Sequence, residues 1–226
     1  MILYYIMVGA MSLVGFLISK RLKEKFGKYS QVPLQSGMSG KEVAEEMLRY
    51  YNINDVQVVA GKGMLTDHYN PLTKTISLSE PVYGQRTVAA AAVAAHECGH
   101  AVQHDTAYPM LSMRSALVPF VKFASMAQQG LLIVALMMAT SFPSLLLVVI
   151  AAFAITALFS FVTLPVEFDA SNRALAWLDS AGVTQPGAEH DGAKDALKWA
   201  GMTYVSAALS SLVMLVFLIL QYSSRR

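Results

Sequence analysis

The segment His96-Glu97-Cys98-Gly99-His100 has two histidines four residues apart, with a glutamate directly after the first. On an α-helix, residues four apart lie on one face about one turn apart, so both imidazoles can reach a single metal ion. Zinc binds imidazole nitrogen at about 2.0–2.1 Å. Glu97 is rotated by about 100° from His96 and projects beside such a metal, where it can accept a proton from an activated water. The pattern predicts a zinc site with Glu97 as the general base.

A catalytic zinc site needs a third protein ligand and keeps a fourth position open for water. His104 is poorly placed for this role, because on a straight helix it is rotated by about 80° from His96 and shifted by roughly 12 Å along the axis. We expect His104 to lie at the surface or to support the site indirectly. Glu167 and Asp169 follow a long uncharged segment, and by residue type alone both remain candidates. A carboxylate there also has a structural explanation, since it interacts well with a helix N-terminus.

The elements that must position the histidines belong to a small α+β region, residues 20–117. Ser39 and Glu42 have the spacing of a capping box, which predicts a helix from there to about Tyr51. Residues 56–59 and 73–79 have the composition of strands, with a turn at Asn70-Pro71. Residues 85–105 form the predicted helix that carries the histidine pair, and its alanine-rich start favours helix.

The rest of the chain has the composition of a membrane protein. It is 55% hydrophobic and only 14% charged with a net charge of +2, whereas soluble domains carry about 25% charged residues. This composition excludes disorder, and the absence of a basic stripe excludes nucleic acid as a main partner. A transmembrane helix needs roughly 20 apolar residues. Four uncharged segments approach that length, and Pro143 divides the middle pair: residues 2–19, 123–140, 145–164 and 199–220.

These segments predict an alternation of membrane and polar parts. Residues 1–19 form the first transmembrane helix, 20–117 a cytoplasmic α+β domain, 118–164 a transmembrane hairpin with its tip at residues 141–144, 165–198 a cytoplasmic helical segment, and 199–226 the fourth transmembrane helix and tail. Two spans separate the polar parts, so both lie on one side of the membrane. Five basic residues at positions 20–28 place that side in the cytoplasm, although Arg225 and Arg226 argue against this orientation.

Three segments resemble the YugP-type bacterial membrane zinc metallopeptidases, and the resemblance covers nearly the whole chain. They are His-Glu-Cys-Gly-His-Ala-Val-Gln-His (96–104), Thr-Asp-His-Tyr-Asn-Pro (66–71) and Leu-Pro-Val-Glu-Phe-Asp-Ala-Ser-Asn-Arg-Ala (164–174). More distantly, the chain is similar to the HtpX and CAAX prenyl endopeptidases. These gluzincins combine H-E-x-x-H with a downstream E-x-x-x-D, whose glutamate is the third zinc ligand. By position, Glu167 matches that glutamate, and Ser171 stands where those relatives have aspartate.

The resemblance implies a mostly α membrane protein, with four transmembrane helices and a small zincin-like α+β domain in the cytoplasm. It implies an endopeptidase of the bacterial cytoplasmic membrane, with one catalytic Zn²⁺ held by His96, His100 and Glu167. Its substrates would be peptides or proteins, including membrane proteins. The resemblance also implies that the strand at residues 73–78 is an exposed edge, with which an extended peptide can pair.

Two supporting roles stay open. In the distant relatives the aspartate orients a metal-binding histidine, a role that Ser171 fills only weakly, so Asp169 and Asp195 are alternatives. The oxyanion of amide hydrolysis needs a further donor besides zinc. The candidates are His68, Arg173, His190, Lys194 and Tyr204.

Two other classes of function are alternatives to a zinc-dependent enzyme. A zinc-binding membrane scaffold without turnover would have no use for Glu97, and a transporter would carry charges within its spans. Cys98, the sole cysteine, points about 200° away from His96 and is predicted to be a packing residue. Gly99 is predicted to allow close approach of another element. Gln128 and Gln129 can bond between helices or line a polar cavity, and the sequence favours bonding between helices.

Overall fold

The computed structural model describes residues 2–138 and 142–224. Helices account for most of these residues, and three short strands form one sheet. In chain order the elements are α1 (Ile2–Tyr29), α2 (Gly40–Tyr50), β1 (Gln57–Gly61), β2 (His68–Asn70), β3 (Thr75–Ser79), α3 (Glu80–Tyr83), α4 (Val88–Asp105), α5 (Pro109–Met137), α6 (Pro143–Ser180) and α7 (Ala188–Ser223).

The chain divides into two compact units. An apolar unit contains Met1–Ile18, Ser112–Pro165 and Thr203–Arg226, and a polar unit contains Ser19–Leu111 and Val166–Met202. The divisions fall inside α1, α5, α6 and α7, so none of these four helices ends where the composition changes. The change from apolar to charged residues therefore predicts the division between the two units, but not the end of a helix.

Within residues 2–138 and 142–224, three helices are long and apolar enough to cross a membrane: α1, α6 and α7. A fourth span results if α5 is counted, which is bent by 51° between Pro109–Met126 and Gly130–Met137. The four spans of the sequence analysis therefore stay a prediction. Residues 139–141 of the predicted hairpin tip lie outside the described residues.

Gln128 lies in α5 of the apolar unit and bonds to α6. Its Nε2 donates to the carbonyl of Ala152 at 3.0 Å and to Thr156 Oγ1 at 2.7 Å. The predicted interhelical role of Gln128 is confirmed, while the side chain of Gln129 lies outside the described residues. The buried core of this unit comprises Ala135, Leu136, Leu146, Val149, Phe217 and Leu218.

The sheet of the polar unit has the strand order β1-β3-β2. β3 pairs in parallel with β1 and antiparallel with β2. The prediction that residues 73–78 form an exposed edge is therefore wrong, because both sides of β3 are paired and the edges are β1 and β2. The missed strand β2 has three residues, too few to show an alternating pattern. The predicted turn after it is present, with Asn70 Oδ1 accepting the Leu72 N–H at 3.0 Å.

The capping box at the start of α2 is confirmed. The Ser39 N–H donates to Glu42 Oε2 at 2.7 Å, and the Glu42 N–H donates to Ser39 Oγ at 3.3 Å. Arg86 adds a bond from Nη1 to Glu42 Oε2 at 2.9 Å. The pKa of Glu42 is lowered from its usual value by these hydrogen bonds. The largest effect comes from the Ser39 backbone, followed by the Ser39 side chain and then Arg86.

The helix α4 is the central element of the polar unit. It begins at Val88, where the Thr87 side chain accepts the Ala90 N–H at 3.3 Å. Small buried side chains let neighbouring elements come close to its axis. Those that are wholly buried along its first half are Ala89, Ala90, Ala91, Ala92, Ala94 and Ala95.

Cys98 lies on the buried side of α4. Its thiol donates to the Ala44 carbonyl at 3.4 Å, and the side chain is fully buried. Burial, with the charge of Glu97, raises the pKa of the Cys98 thiol well above its usual value. The prediction of a packing residue is confirmed.

Candidate metal centre

The helices α4 and α6 meet closely at Gly99. A Cβ atom added to Gly99 would lie 2.5 Å from the carbonyl oxygen of Ala170. This contact is with backbone, so only glycine fits there without displacing a helix. The predicted close approach at Gly99 is thus confirmed. On α4 the contact lies between His96 and His100, and on α6 Ala170 lies between Glu167 and Ser171.

The contact brings two imidazoles and one carboxylate together. Glu167 Oε2 lies 3.4 Å from His96 Nε2 and 3.5 Å from His100 Nε2. One ligand atom from each of His96, His100 and Glu167 lies within 4.8 Å of the others. Among the described residues, this is the one group of three that could hold a metal ion. Glu167 is only 2% exposed, so its carboxylate is removed from bulk water.

The chemistry of these donors fits zinc. Two imidazole nitrogens and one carboxylate oxygen form a ligand set found in catalytic zinc sites, which leave a fourth position open. The Nδ1 atoms contact protein groups instead: His96 Nδ1 lies 3.1 Å from Ser171 Oγ, and His100 Nδ1 lies 3.0 Å from Gln103 Oε1. Such outer contacts orient a ligating histidine and set its tautomer.

The electrostatics of the site favour a positive charge. Burial by itself lowers the pKa of His100, but the hydrogen bond and charge of Glu167 and the charge of Glu97 raise it by more. The pKa of His100 therefore lies above its usual value. A cation, whether a proton or a metal ion, is stabilised where these carboxylates face the imidazole.

Glu97 lies on α4 directly after His96 and is 7% exposed. Its charge contributes, after that of Glu167, to the raised pKa of His100. A buried carboxylate beside the proposed ligands is suited to take up a proton that leaves a nearby water.

Asp169 and Asp195 are placed away from the ligand group. Asp169 Oδ2 accepts from Gln103 Nε2 at 2.8 Å and from Arg173 Nε at 2.6 Å. Asp195 instead accepts from Lys25 and Tyr29. The alternative in which Asp195 orients a zinc-binding histidine is therefore wrong, since its partners belong to α1. Ser171 does contact His96, as its position in the motif implied.

His104 lies outside the ligand group and bonds to β2. Its Nδ1 lies 2.8 Å from the hydroxyl of Tyr69. Burial, with the charges of Asp55 and Asp105, raises the pKa of Tyr69 to about 12. The phenol keeps its proton at neutral pH, and the tautomer of His104 determines which of the two groups donates the hydrogen bond.

The candidate oxyanion donors are scattered. His68 Nδ1 lies 2.8 Å from the Thr66 carbonyl, and His190 Nδ1 lies 3.4 Å from Thr184 Oγ1. Arg173 bonds Asp169 and lies over the ring of Tyr108. None of these contacts involves a proposed zinc ligand. Lys194 is exposed in the polar unit, and Tyr204 belongs to the apolar unit.

Gln103 was missed by the sequence analysis, although it contacts His100 directly. The available signal was its spacing, because a residue three positions after a histidine lies next to it on a helix. A glutamine carries no charge and is not a usual zinc ligand, so residue type alone does not single out this position.

The comparisons with known proteins cover almost the whole chain. A family model described as "Putative neutral zinc metallopeptidase" matches residues 4–223. The chain is 36% identical over 226 residues to the "Putative membrane protease YugP" of Bacillus subtilis (strain 168), with 100% of this chain and 99% of that protein covered. A search of the solved structures found no match.

Proposed function

This chain belongs to the family of putative neutral zinc metallopeptidases, and from that premise we propose that it is a membrane-embedded, zinc-dependent endopeptidase. The observation that carries the proposal is the group of ligand atoms from His96, His100 and Glu167 within 4.8 Å of one another. Three such ligands and a neighbouring buried glutamate are the parts that amide hydrolysis at zinc requires.

In this proposal each side chain has a distinct role. His96, His100 and Glu167 would hold a zinc ion, which would act as a Lewis acid towards a water and the substrate carbonyl. Glu97 accepts the proton of the attacking water and then donates it to the leaving nitrogen of the peptide bond. His96 and His100 hold their Nε2 atoms towards Glu167, because Ser171 and Gln103 occupy their Nδ1 atoms.

We further propose that the site faces the cytoplasm and takes peptide or protein substrates, including membrane proteins. Helix α6 carries both an uncharged stretch that ends before Glu167 and Glu167 itself. Basic residues that follow an apolar span are typical of cytoplasmic segments, and positions 20–28 after the first apolar segment contain five of them. Four transmembrane helices and a zincin-like domain are the architecture that this proposal requires.

The ligand assignment is tested by metal analysis of the purified full-length protein. We expect about one zinc per chain in the wild type and loss of zinc in His96→Ala and Glu167→Ala. Glu189→Ala is the matched control, because Glu189 is also a buried carboxylate but accepts from the backbone N–H groups of Gln35 and Gln185. This control should keep its zinc. Retention of zinc in Glu167→Ala, with loss in Asp169→Ala, would contradict the assignment.

The catalytic assignment is tested with Glu97→Gln and a denatured test protein as substrate. We expect zinc content to stay at the wild-type level and the cleavage rate to fall by about 10²–10⁴-fold, since the general base is removed. If the wild type binds zinc but cleaves no denatured protein or peptide, the protein is a zinc-binding scaffold and the proposed activity is wrong.

A further inference from the structure

Gln103 is a wholly buried polar residue at the metal centre, with three hydrogen-bonded partners. Its Oε1 lies 3.0 Å from Nδ1 of His100, three residues earlier on α4. Its Nε2 donates to the carbonyl of Val166 at 2.7 Å and to Asp169 Oδ2 at 2.8 Å, both on α6. The side chain therefore links one proposed zinc ligand to the helix that carries another.

The partners of Gln103 fix the orientation of its amide. The carbonyl of Val166 and the carboxylate of Asp169 are both acceptors, so the NH₂ group must face them. The opposite orientation would place Oε1 against two other oxygens in a buried site, which is costly. Oε1 is thereby left for His100 and can only accept a hydrogen bond.

This orientation determines the tautomer of His100. Because Gln103 Oε1 accepts, His100 Nδ1 must carry a hydrogen. In the neutral imidazole, Nε2 is then unprotonated, and it faces Glu167 Oε2 at 3.5 Å. Two lone pairs that face each other in a buried site call for a cation between them.

Gln103 also holds the backbone next to the third proposed ligand. Val166, whose carbonyl accepts from Gln103, directly precedes Glu167. Asp169, the second acceptor, is held in turn by Arg173 Nε at 2.6 Å. The amide thus fixes the position of Glu167 relative to His100 at a distance set by two short hydrogen bonds.

We propose that Gln103 is a positioning residue of the metal centre, which presents His100 Nε2 as a ligand and holds the backbone of Glu167 against α4. The inference rests on the proposed function, because it concerns the same zinc ion. Gln103 itself does not touch the metal and acts through His100 and Val166.

The test compares two glutamines in the full-length protein purified in detergent and freed of metal by a chelator. Gln103→Met keeps side-chain length and removes the three hydrogen bonds that Gln103 makes to His100, Val166 and Asp169. Gln128→Met is the matched control, since Gln128 also bonds a carbonyl and a side-chain oxygen across two helices but lies in the apolar unit. Zinc affinity is measured by competition with a chromophoric chelator, and the absorption spectrum of the Co²⁺-loaded protein reports the ligand geometry.

We expect Gln103→Met to weaken zinc affinity by about 10–100-fold, the usual effect of removing an outer hydrogen bond to a zinc ligand. Its Co²⁺ spectrum should also change in intensity and position. Gln128→Met should change the affinity by less than about threefold and leave the spectrum unaltered, because its hydrogen bonds do not reach the ligands.

A second variant covers the case in which Gln103→Met melts below the assay temperature. Asp169→Asn leaves Gln103 in place but removes the charge that orients its amide, and we expect several-fold weaker zinc binding. If the folded variants bind zinc as tightly as the wild type and their Co²⁺ spectra are unchanged, the positioning role is wrong. Proteolysis by the wild type in the same experiments would leave the proposed function standing. A wild-type protein that binds no zinc would overturn both this role and the proposed function.

Discussion

Ser171 gives His96 a neutral hydroxyl partner, where the distant relatives carry a carboxylate. Its Oγ lies 3.1 Å from His96 Nδ1. Gln103 is also neutral, so both proposed zinc-binding imidazoles are oriented by groups without charge. A neutral partner fixes the ring but raises its basicity less than a carboxylate would. The carboxylate of Asp169 is one hydrogen bond farther from the imidazole.

Removal of the Ser171 hydroxyl should loosen His96. We expect Ser171→Ala to weaken zinc affinity by about tenfold, measured by chelator competition, because the ring loses its hydrogen-bond partner. Ser160→Ala is the control, since Ser160 lies on the same helix and its hydroxyl donates to the Thr156 carbonyl at 2.9 Å. Equal affinities for Ser171→Ala and Ser160→Ala would mean that the hydroxyl does not orient His96.

Glu42 makes the stability of the polar unit depend on pH. Its pKa is lowered in the folded protein, first by the hydrogen bonds from Ser39 and then by that from Arg86. A lowered pKa contributes stability above the unfolded value of about 4.3, and this contribution is lost as the pH falls through the folded value. We expect Glu42→Gln to melt below the wild type at pH 7, with a difference that shrinks below about pH 4. A difference that is constant from pH 7 to pH 3 would contradict this origin.

The contact of α4 with α6 depends on a single glycine. Gly99→Ala would place a methyl group 2.5 Å from the Ala170 carbonyl, and the helices must move apart to relieve the clash. We expect a loss of about 1–3 kcal/mol in the free energy of unfolding, accompanied by weaker zinc binding, because the histidines and Glu167 are carried by these two helices. Thermal melting and chelator competition measure the two effects.

Gly84→Ala is the control for this substitution. A Cβ atom at Gly84 meets nothing within 4 Å, so this variant should keep both its stability and its zinc affinity. If Gly99→Ala melts and binds zinc like Gly84→Ala, the close contact does not set the geometry of the centre.

Rules of residue spacing and type predicted the features that depend on neighbouring residues. They failed for elements whose structure depends on packing against distant parts of the chain. The capping box of α2 and the helical histidine pair follow from spacing alone. The strand β2 did not, because its three residues are specified by pairing with β3. A boundary was also expected at Pro165, yet α6 continues through it to Ser180. Proline removes one backbone hydrogen bond, which by itself disfavours the helix. The helix is maintained by the long apolar stretch before Pro165 and by the burial of Ala170 and Trp177 after it.

The candidate site was predictable in part for the same reason. His96, Glu97 and His100 are close in sequence, so helix geometry relates them. Glu167 required a resemblance to other proteins, because residue type alone left Asp169 equal to it. Spacing alone places Gln103 next to His100, but its bonds to Val166 and Asp169 could not be found from the sequence, since they depend on the three-dimensional contact between α4 and α6.

For the whole molecule, zinc should act as a stabilising ligand. A ligand that binds only the folded state stabilises it by about 2.7 kcal/mol at a free concentration 100-fold above its Kd. We expect removal of zinc with a chelator to lower the melting temperature of the full-length protein and re-addition of zinc to restore it. Glu167→Ala serves as the control and should show no response to either treatment.

The burial of Cys98 makes the native chain a ready background for site-specific labelling. Its thiol is fully enclosed, bonds the Ala44 carbonyl and has a raised pKa, so a membrane-impermeant maleimide should not modify the folded protein. A cysteine introduced at exposed Lys62 or Ser224 then becomes the sole reporter. If the predicted orientation is correct, the reagent labels Ser224→Cys but not Lys62→Cys in intact cells. Labelling of Lys62→Cys but not Ser224→Cys would mean that the orientation is the opposite.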